Sequence, residues 1–240
     1  MKKVVLCICL ICLGIIGFTQ QPNPLLIQSD AKLLGTRANG YASIQTYNQG
    51  TKGFQFFPVT WSAGELQTTD NLLYNSGYLF SIDKIHQQLF IIETATSKIM
   101  NIDKNQIKKF RINTDNKDHN FKIADTYLNS HEKNFCEILV DNPSKYSLIK
   151  IITTKFIRAD NADFAKMKEG EFSDEFIDNA SYYVIKPSLA AKKITFKENS
   201  IEKAFLEKNI AADYLTKNEF AKKDEYFLIN IVNNVNENLK

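Results

Sequence analysis

The sequence lacks the residue patterns on which most enzyme classes depend. It contains only 3 His, and His86, His119 and His131 stand too far apart for a zinc site built from neighbouring ligands. It has no His-Glu-x-x-His pair, no Gly-x-Ser-x-Gly elbow, no Gly-x-x-x-x-Gly-Lys loop and no Gly-x-Gly-x-x-Gly loop. We therefore expect no catalytic residue, no metal ligand and no bound cofactor.

Cysteine is equally scarce. Three of the 4 Cys, at positions 7, 9 and 12, lie near the N-terminus and each follows a bulky residue, which argues against lipid attachment. Cys136 is the only cysteine beyond this region, so we expect no internal disulfide. Because Cys136 opens an apolar run, it is expected to be a buried apolar residue rather than a reactive thiol.

The N-terminus has the features of a secretory signal peptide over residues 1–19. Lys2 and Lys3 precede an apolar run at residues 4–18, and the small residues Gly17 and Thr19 come just before Gln20. The run is shorter than the roughly 20 apolar residues of a membrane-spanning helix. We expect export to the periplasm or the extracellular space; the alternative is an uncleaved anchor.

Neither sign of charge is in clear excess. The chain has 30 Lys and Arg against 27 Asp and Glu, and loss of Lys2 and Lys3 with the signal peptide leaves 28 − 27, a formal charge of +1. This balance does not favour a nucleic-acid partner or an acidic membrane surface. We also expect no integral membrane span after signal cleavage.

Short apolar runs between residues 77 and 112 are the clearest structural signal. Four runs rich in Ile, Phe and Tyr are separated by polar segments at 84–88, 95–97 and 103–105. This pattern is typical of consecutive antiparallel strands. Residues 89–92 show no polar alternation, which predicts that both faces of that strand are covered.

The remaining strands are predicted on both sides of this region. Pro58 marks either an edge strand or the start of a strand, on which Trp61 either caps the core or stacks on a sugar ring. Ala63 and Gly64 are interpreted as a turn, and residues 113–120 as a polar loop. Residues 135–140 and 147–157 are predicted to form a long hairpin.

The C-terminal residues 199–240 are predicted to be helical. Asn199 and Glu202 fit a helix N-cap with its acidic partner, and a second short helix is predicted at 211–216. The last helix is predicted at about 222–238. Its apolar stripe has helical spacing and consists of Leu228, Ile231, Val232, Val235 and Leu239.

These elements predict a mainly β (α+β) fold, an antiparallel meander or curved sheet with short C-terminal helices packed on it. The expected organisation is a signal peptide at 1–19, an irregular lead-in at 20–55, the β domain at 56–198 and the helices at 199–240. The alternative is two β subdomains that meet near residue 130.

An acidic segment at 158–180 is interpreted as a surface excursion of the β domain. Its Asp and Glu residues do not alternate as the ligands of a calcium loop do. Its apolar residues are candidates for binding a partner. They are Phe164, Met167, Phe172 and Phe176.

Several pieces together resemble a group of uncharacterised exported proteins of Bacteroidetes. Gly53-x-x-Phe56 and Trp61-x-x-Gly64-x-Leu66 are followed by the residues 87–90, 107–110 and 135–150 and by Tyr182-Tyr183. These are structural motifs of turn glycines and core aromatic residues. The group has no assigned activity, so the resemblance implies an exported, strand-rich protein and gives no residue a role.

Three functions remain open from the sequence. The first is a non-catalytic envelope protein that binds a partner or another envelope component. The second is a carrier of a small apolar ligand, which requires a cavity inside a curved sheet. The third is a hydrolase whose site assembles only in space, for instance from Ser81, His86 and Asp125.

Overall fold

A computed structural model describes residues 51–114, 117–128, 133–159, 173–188 and 190–239. The predicted signal peptide and nearly all of the predicted lead-in lie outside the described residues.

An antiparallel sheet of 11 strands dominates this part of the chain. The spatial order is β11-β10-β9-β8-β7-β6-β1-β3-β4-β5, with β2 beside β1. Strands β6 to β11 thus form a continuous meander. The bounds are β1 Phe56–Thr68, β2 Leu73–Tyr74, β3 Tyr78–Asp83, β4 Gln88–Glu93, β5 Lys98–Ile102, β6 Ile107–Thr114, β7 Lys117–Ile123, β8 Phe135–Val140, β9 Ser147–Ile157, β10 Glu175–Ile185 and β11 Ala191–Ile194.

Strand β1 joins the two halves of the sheet. Its first half pairs with β3, and its second half pairs with β6. A Cβ atom at Gly64 would lie 2.3 Å from the Arg111 carbonyl oxygen, so the strand continues through a glycine that allows close approach. The predicted turn at Ala63 and Gly64 is therefore wrong. Strand β1 lies between β6 and β3 and is therefore not an edge strand, but Pro58 follows the start of the strand by two residues and falls where the pairing register with β3 shifts.

The predicted strands between residues 77 and 112 are confirmed as β3, β4, β5 and β6. Leu89 and Ile91 face one buried cluster, whereas Phe90 and Ile92 face another. Both faces of β4 are therefore covered, as the sequence predicts. Trp61 is half-buried and packs against the second of these clusters.

Two polar segments that looked like loops contain strand. The predicted loop at 113–120 includes the first four residues of β7, all of which pair with β6. The predicted excursion at 158–180 ends earlier, since β10 begins at Glu175 and pairs with β9 along its whole length. Strand β7 precedes residue 130 and strand β8 follows it, and the two strands pair with each other. The sheet is therefore continuous at this point, which argues against two β subdomains.

Three helices pack on the β9–β11 end of the sheet: α1 Glu198–Glu202, α2 Lys208–Lys217 and α3 Glu225–Asn238. The predicted stripe of α3 is confirmed, with Leu228, Ile231, Val232 and Val235 fully buried. Asp224 caps its N-terminus by accepting a hydrogen bond from the Phe227 N–H.

The capping box predicted at residues 199–202 does not form. The N-cap of helix α1 is Lys197, two residues before the predicted Asn199, and the Ser200 hydroxyl accepts a hydrogen bond from the Thr195 N–H. Among the described residues, no helix is long and apolar enough to cross a membrane.

Candidate functional site

A row of charged side chains crosses the interior of the sheet between two apolar cores. Glu137 of β8 lies directly opposite Lys150 of β9, and Lys150 lies opposite Tyr182 of β10. On one side of this row is the core formed by β1 to β8, and on the other is the core under the helices. The antiparallel register therefore brings polar groups from three strands together at the junction of the cores.

These groups form one continuous chain of ion pairs and hydrogen bonds, which we call the junction chain. The His119 Nδ1 lies 2.7 Å from Glu137 Oε1, and Lys150 Nζ donates to Glu137 Oε2 at 2.8 Å. Lys150 Nζ also donates to Glu225 Oε2 at 2.8 Å, and the Tyr182 hydroxyl donates to the same oxygen at 2.9 Å. The chain links the sheet to the first turn of α3.

The junction chain is largely removed from water. The side chains of Glu137, Lys150 and His119 are 5%, 13% and 14% exposed. Burial raises the pKa of Glu137, but the charge and hydrogen bond of Lys150, together with His119, bring that pKa below its ordinary value. Glu137 is thus ionised at neutral pH.

The pKa values of Lys150 and Tyr182 in this chain are also shifted. Burial lowers the pKa of Lys150, but Glu137 and Glu225 outweigh it and leave that pKa raised. Burial, together with the hydrogen bond to Glu225, raises the pKa of Tyr182 to about 12. A charged lysine and a neutral tyrosine are unsuited to accept protons at neutral pH. The junction chain therefore has the properties of a structural clamp, which holds the sheet and α3 together.

A cavity of about 70 Å³ lies beside the junction chain. Phe57, Ile82, Phe135 and Ile152 supply much of its apolar wall, and Glu137 contributes a polar edge. Pockets for organic ligands usually measure about 300–1,000 Å³. The cavity is therefore of a size for a few water molecules rather than for an organic ligand.

Gln87 links the hairpin between β3 and β4 to strands β8 and β9 through side-chain hydrogen bonds. Its amide Nε2 donates to the carbonyl oxygens of Lys84 and Ile152, and its Oε1 accepts from the Phe135 N–H at 2.9 Å. Gln87 has a φ of 54°, a left-handed conformation that is uncommon outside glycine. Three hydrogen bonds from one side chain stabilise this conformation.

His86 of the candidate hydrolase triad pairs with Asp83 rather than with Asp125. The His86 Nδ1 lies 2.7 Å from Asp83 Oδ2, and Asp83 also accepts from the Gln55 amide at 2.8 Å. His86 is thus oriented by a neighbour three residues away in the hairpin turn. Asp125 lies in a short 3₁₀ turn after β7.

A second and larger depression, which we call the groove, crosses β1, β6, β7 and β8 and has a volume of about 580 Å³. Its charged and polar lining comes from exposed or half-buried strand positions and from the residue after β8. These residues are Glu65, Lys109, Arg111, Asn120, Lys122 and Asp141. Ile138 and Leu139 add an apolar wall near Asp141.

The strand alternation explains how the groove is built. Lys109 and Arg111 flank Phe110 on β6, and Asn120 and Lys122 flank Phe121 on β7. The rings of Phe110 and Phe121 stack with centroids 4.9 Å apart in the interior. Burial of these two rings therefore directs the neighbouring polar side chains to the opposite, exposed face.

Ion pairs engage some of the charges in the groove. Arg111 donates to Asp118 at 2.9 Å and lies 3.8 Å from Glu65. Lys122 donates to Asp141 at 3.3 Å and to the Tyr127 hydroxyl at 3.1 Å. Although burial lowers the pKa of Lys122, these two partners leave it raised, so the ammonium is charged.

The predicted partner-binding residues lie elsewhere. Phe164, Met167 and Phe172 fall outside the described residues. Phe176 lies in β10, is 8% exposed, and packs against Phe156 with ring centroids 4.9 Å apart. It thus offers little surface to a partner, and the role of the other three stays a prediction.

Sequence reasoning missed both the junction chain and the groove. Glu137 is an isolated charge in the apolar run at 135–140, which is a signal that an inward strand position holds a paired carboxylate. Lys150 carries the same signal in the next strand. The groove has no comparable signal, because alternating exposed Lys and Arg are ordinary on a solvated sheet face.

The described residues contain no group of three or more His, Cys, Asp or Glu side chains that could hold a metal ion. No protein family model, no curated protein and no solved structure matches this chain.

Proposed function

We propose that this chain is an exported, non-catalytic binding protein of the cell envelope, and that the groove is its ligand site. The observation that carries the proposal is the size of the groove together with its mixed lining. A volume of about 580 Å³ lies within the usual range for ligand sites. Its charges of both signs and its apolar wall suit recognition of a partner or another envelope component.

The junction chain supports the non-catalytic part of the proposal. A general base must have a pKa near the working pH and a free lone pair that faces a substrate. The pKa of Glu137 is instead lowered, and both of its carboxylate oxygens are engaged by His119 and Lys150. The adjacent cavity of about 70 Å³ leaves little room for a substrate.

A carrier of apolar ligands has less support. Such a carrier requires an apolar cavity inside the curved sheet, and the interior on this face is filled by Leu66, Phe80 and Ile91, which are fully buried. The larger volume lies in the groove, where Lys109 and Arg111 would have to lose water to an apolar ligand without a compensating hydrogen bond.

The export part of the proposal rests on the basic and apolar pattern of residues 1–19. Fractionation of cells that express the full chain tests it. We expect a product in the periplasm or the medium whose mass corresponds to cleavage after Thr19. A product that stays in the cytoplasm with residues 1–19 attached contradicts it.

Retention of an envelope component by the purified chain tests the binding function. Asn120→Tyr fills the groove with a ring, and Thr153→Tyr places the same ring at an exposed strand position on β9 outside it. Envelope extract is passed over each immobilised protein, and retained molecules are identified by mass spectrometry. The proposal predicts a component that the wild type and Thr153→Tyr retain and Asn120→Tyr loses. Equal retention by all three proteins contradicts it.

A further inference from the structure

The groove brings positive charges from neighbouring strands to one exposed face. Arg111 of β6 pairs with Asn120 of β7. The same register places Lys109 beside Lys122, two positions away on each strand and therefore on the same face. Like charges at facing positions destabilise a sheet unless a counter-charge lies near them.

Among the described residues, carboxylates pair with some of these positive charges but not with all of them. Arg111 and Lys122 have carboxylate partners in Asp118 and Asp141. The Lys109 ammonium has no hydrogen-bond or ion-pair partner in the part of the chain that the structure describes. Glu65 also lies near Arg111, so Lys109 is the cation of the groove that no carboxylate of the described residues contacts.

Resting on the proposed binding function, we propose that the groove binds an extended acidic peptide, one carboxylate of which lies between Lys109 and Arg111. A carboxylate there supplies the missing counter-charge, and a guanidinium presents donors that match its two oxygens. The occupant is recognised by the charge complementarity of this part of the groove.

The rest of the lining favours a peptide over an anionic glycan. The half-buried Leu139 gives an apolar side chain a surface to pack on, next to the carboxylate of Asp141. Sugar rings are commonly recognised by stacking on exposed aromatic rings. The aromatic rings of the lining, Phe110 and Phe121, are buried against each other in the core.

A pair of labelled peptides tests the proposal. The probes are fluorescein-labelled Gly-Glu-Leu-Glu-Gly and its glutamine counterpart Gly-Gln-Leu-Gln-Gly, titrated into the mature chain at low ionic strength. We expect the glutamate peptide to bind about five- to tenfold more tightly, which is the scale of one partly exposed charge pair. Added salt should reduce this preference, because it screens exposed charges.

Two lysine variants locate the effect. Lys109→Ala should reduce the affinity for the glutamate peptide to that for the glutamine peptide. Lys108→Ala makes the same charge change on the same strand, but the Lys108 ammonium donates to Asn71 at 2.9 Å and does not line the groove. It should leave the preference unchanged. Amide chemical shifts should move around Arg111 and Asn120 in the wild type.

Three results would overturn the proposal. They are equal affinity for the two peptides, equal effects of the two lysine variants, and tighter binding of a heparin hexasaccharide than of the glutamate peptide in the same groove. The binding function itself fails by a different result, which is equal retention of envelope components by the wild type and Asn120→Tyr. The two failures are therefore distinguishable.

Discussion

Replacing Lys150 by methionine removes the ammonium that lies between Glu137 and Glu225 and keeps the apolar stem that packs in the core. Lys150 Nζ donates to both carboxylates at 2.8 Å, and the side chain of Glu137 is 5% exposed. The variant therefore leaves a buried carboxylate with only His119 as its partner. Loss of one member of a buried pair costs about 3–5 kcal/mol.

The exposure of the other groups places the expected loss at the lower end of this range. Lys150 retains some contact with water, and Glu225 can turn toward solvent. We expect Lys150→Met to lower the free energy of unfolding by about 3 kcal/mol at pH 7. Lys122→Met is the matched control, because its partner Asp141 is half exposed, and it should cost about 1 kcal/mol or less.

The loss should also depend on pH with a defined sign. In the wild type the pKa of Glu137 is lowered, so its pairing stabilises the fold above the pKa of the unfolded state and is lost as pH falls through the folded pKa. In Lys150→Met, the pKa of the buried carboxyl rises, and its protonation in acid relieves the penalty. The deficit of the variant should therefore shrink between pH 7 and pH 4.

Urea unfolding of the wild type and both variants at the two pH values measures these differences. A loss in Lys150→Met no larger than in Lys122→Met would refute the clamp interpretation of the junction chain. A deficit that is the same at both pH values would refute the assignment of that loss to Glu137.

Three further predictions concern the core and the helices. Ile231→Ala should lower the free energy of unfolding by about 2–5 kcal/mol, since Ile231 is fully buried within the chain, and the urea midpoint should not change with protein concentration; a rising midpoint would indicate cover by a second subunit. Cys136 should react slowly with a thiol reagent until the chain unfolds, because burial raises its pKa to about 12; rapid native labelling would contradict this. Asn236→Leu should cost about 1–3 kcal/mol in urea unfolding, because the Asn236 amide pairs with both the N–H and the carbonyl oxygen of buried Tyr146; an unchanged midpoint would show these bonds to be replaced by water.

Local patterns in the sequence predicted the elements whose burial is encoded within a few residues. The unbroken apolar run of β4 predicted cover on both faces, and the stripe of α3 predicted its buried side. In each case the side-chain periodicity alone determines which face is apolar.

Elements that depend on distant partners were not predictable in this way. Strand β1 passes through Gly64 because the backbone of Arg111 approaches it closely, and a glycine in sequence indicates a turn just as well. Strand β7 has a polar sequence, and only its pairing with β6 and β8 makes Phe121 an interior residue. At Gly64 and in β7, tertiary contacts therefore determine the structure and override the local secondary-structure propensity of the sequence.

The candidate site depends on the pairing register of the strands, which cannot be deduced from the sequence. Glu137 and Lys150 are 13 positions apart, and a shift of one residue in the β8–β9 pairing would turn one of them to the other face. The groove likewise collects side chains from four strands, so its composition follows from the strand order of the sheet.

Photo-crosslinking in living cells tests whether the groove is the ligand site of an exported binding protein. A photoreactive phenylalanine analogue is placed at Asn120 within the groove and, as the control, at Thr153 outside it. We predict a discrete adduct from position 120 that is absent from position 153 and is lost in the Lys109→Ala background. Adducts of equal yield at both positions, or none at position 120, would contradict it.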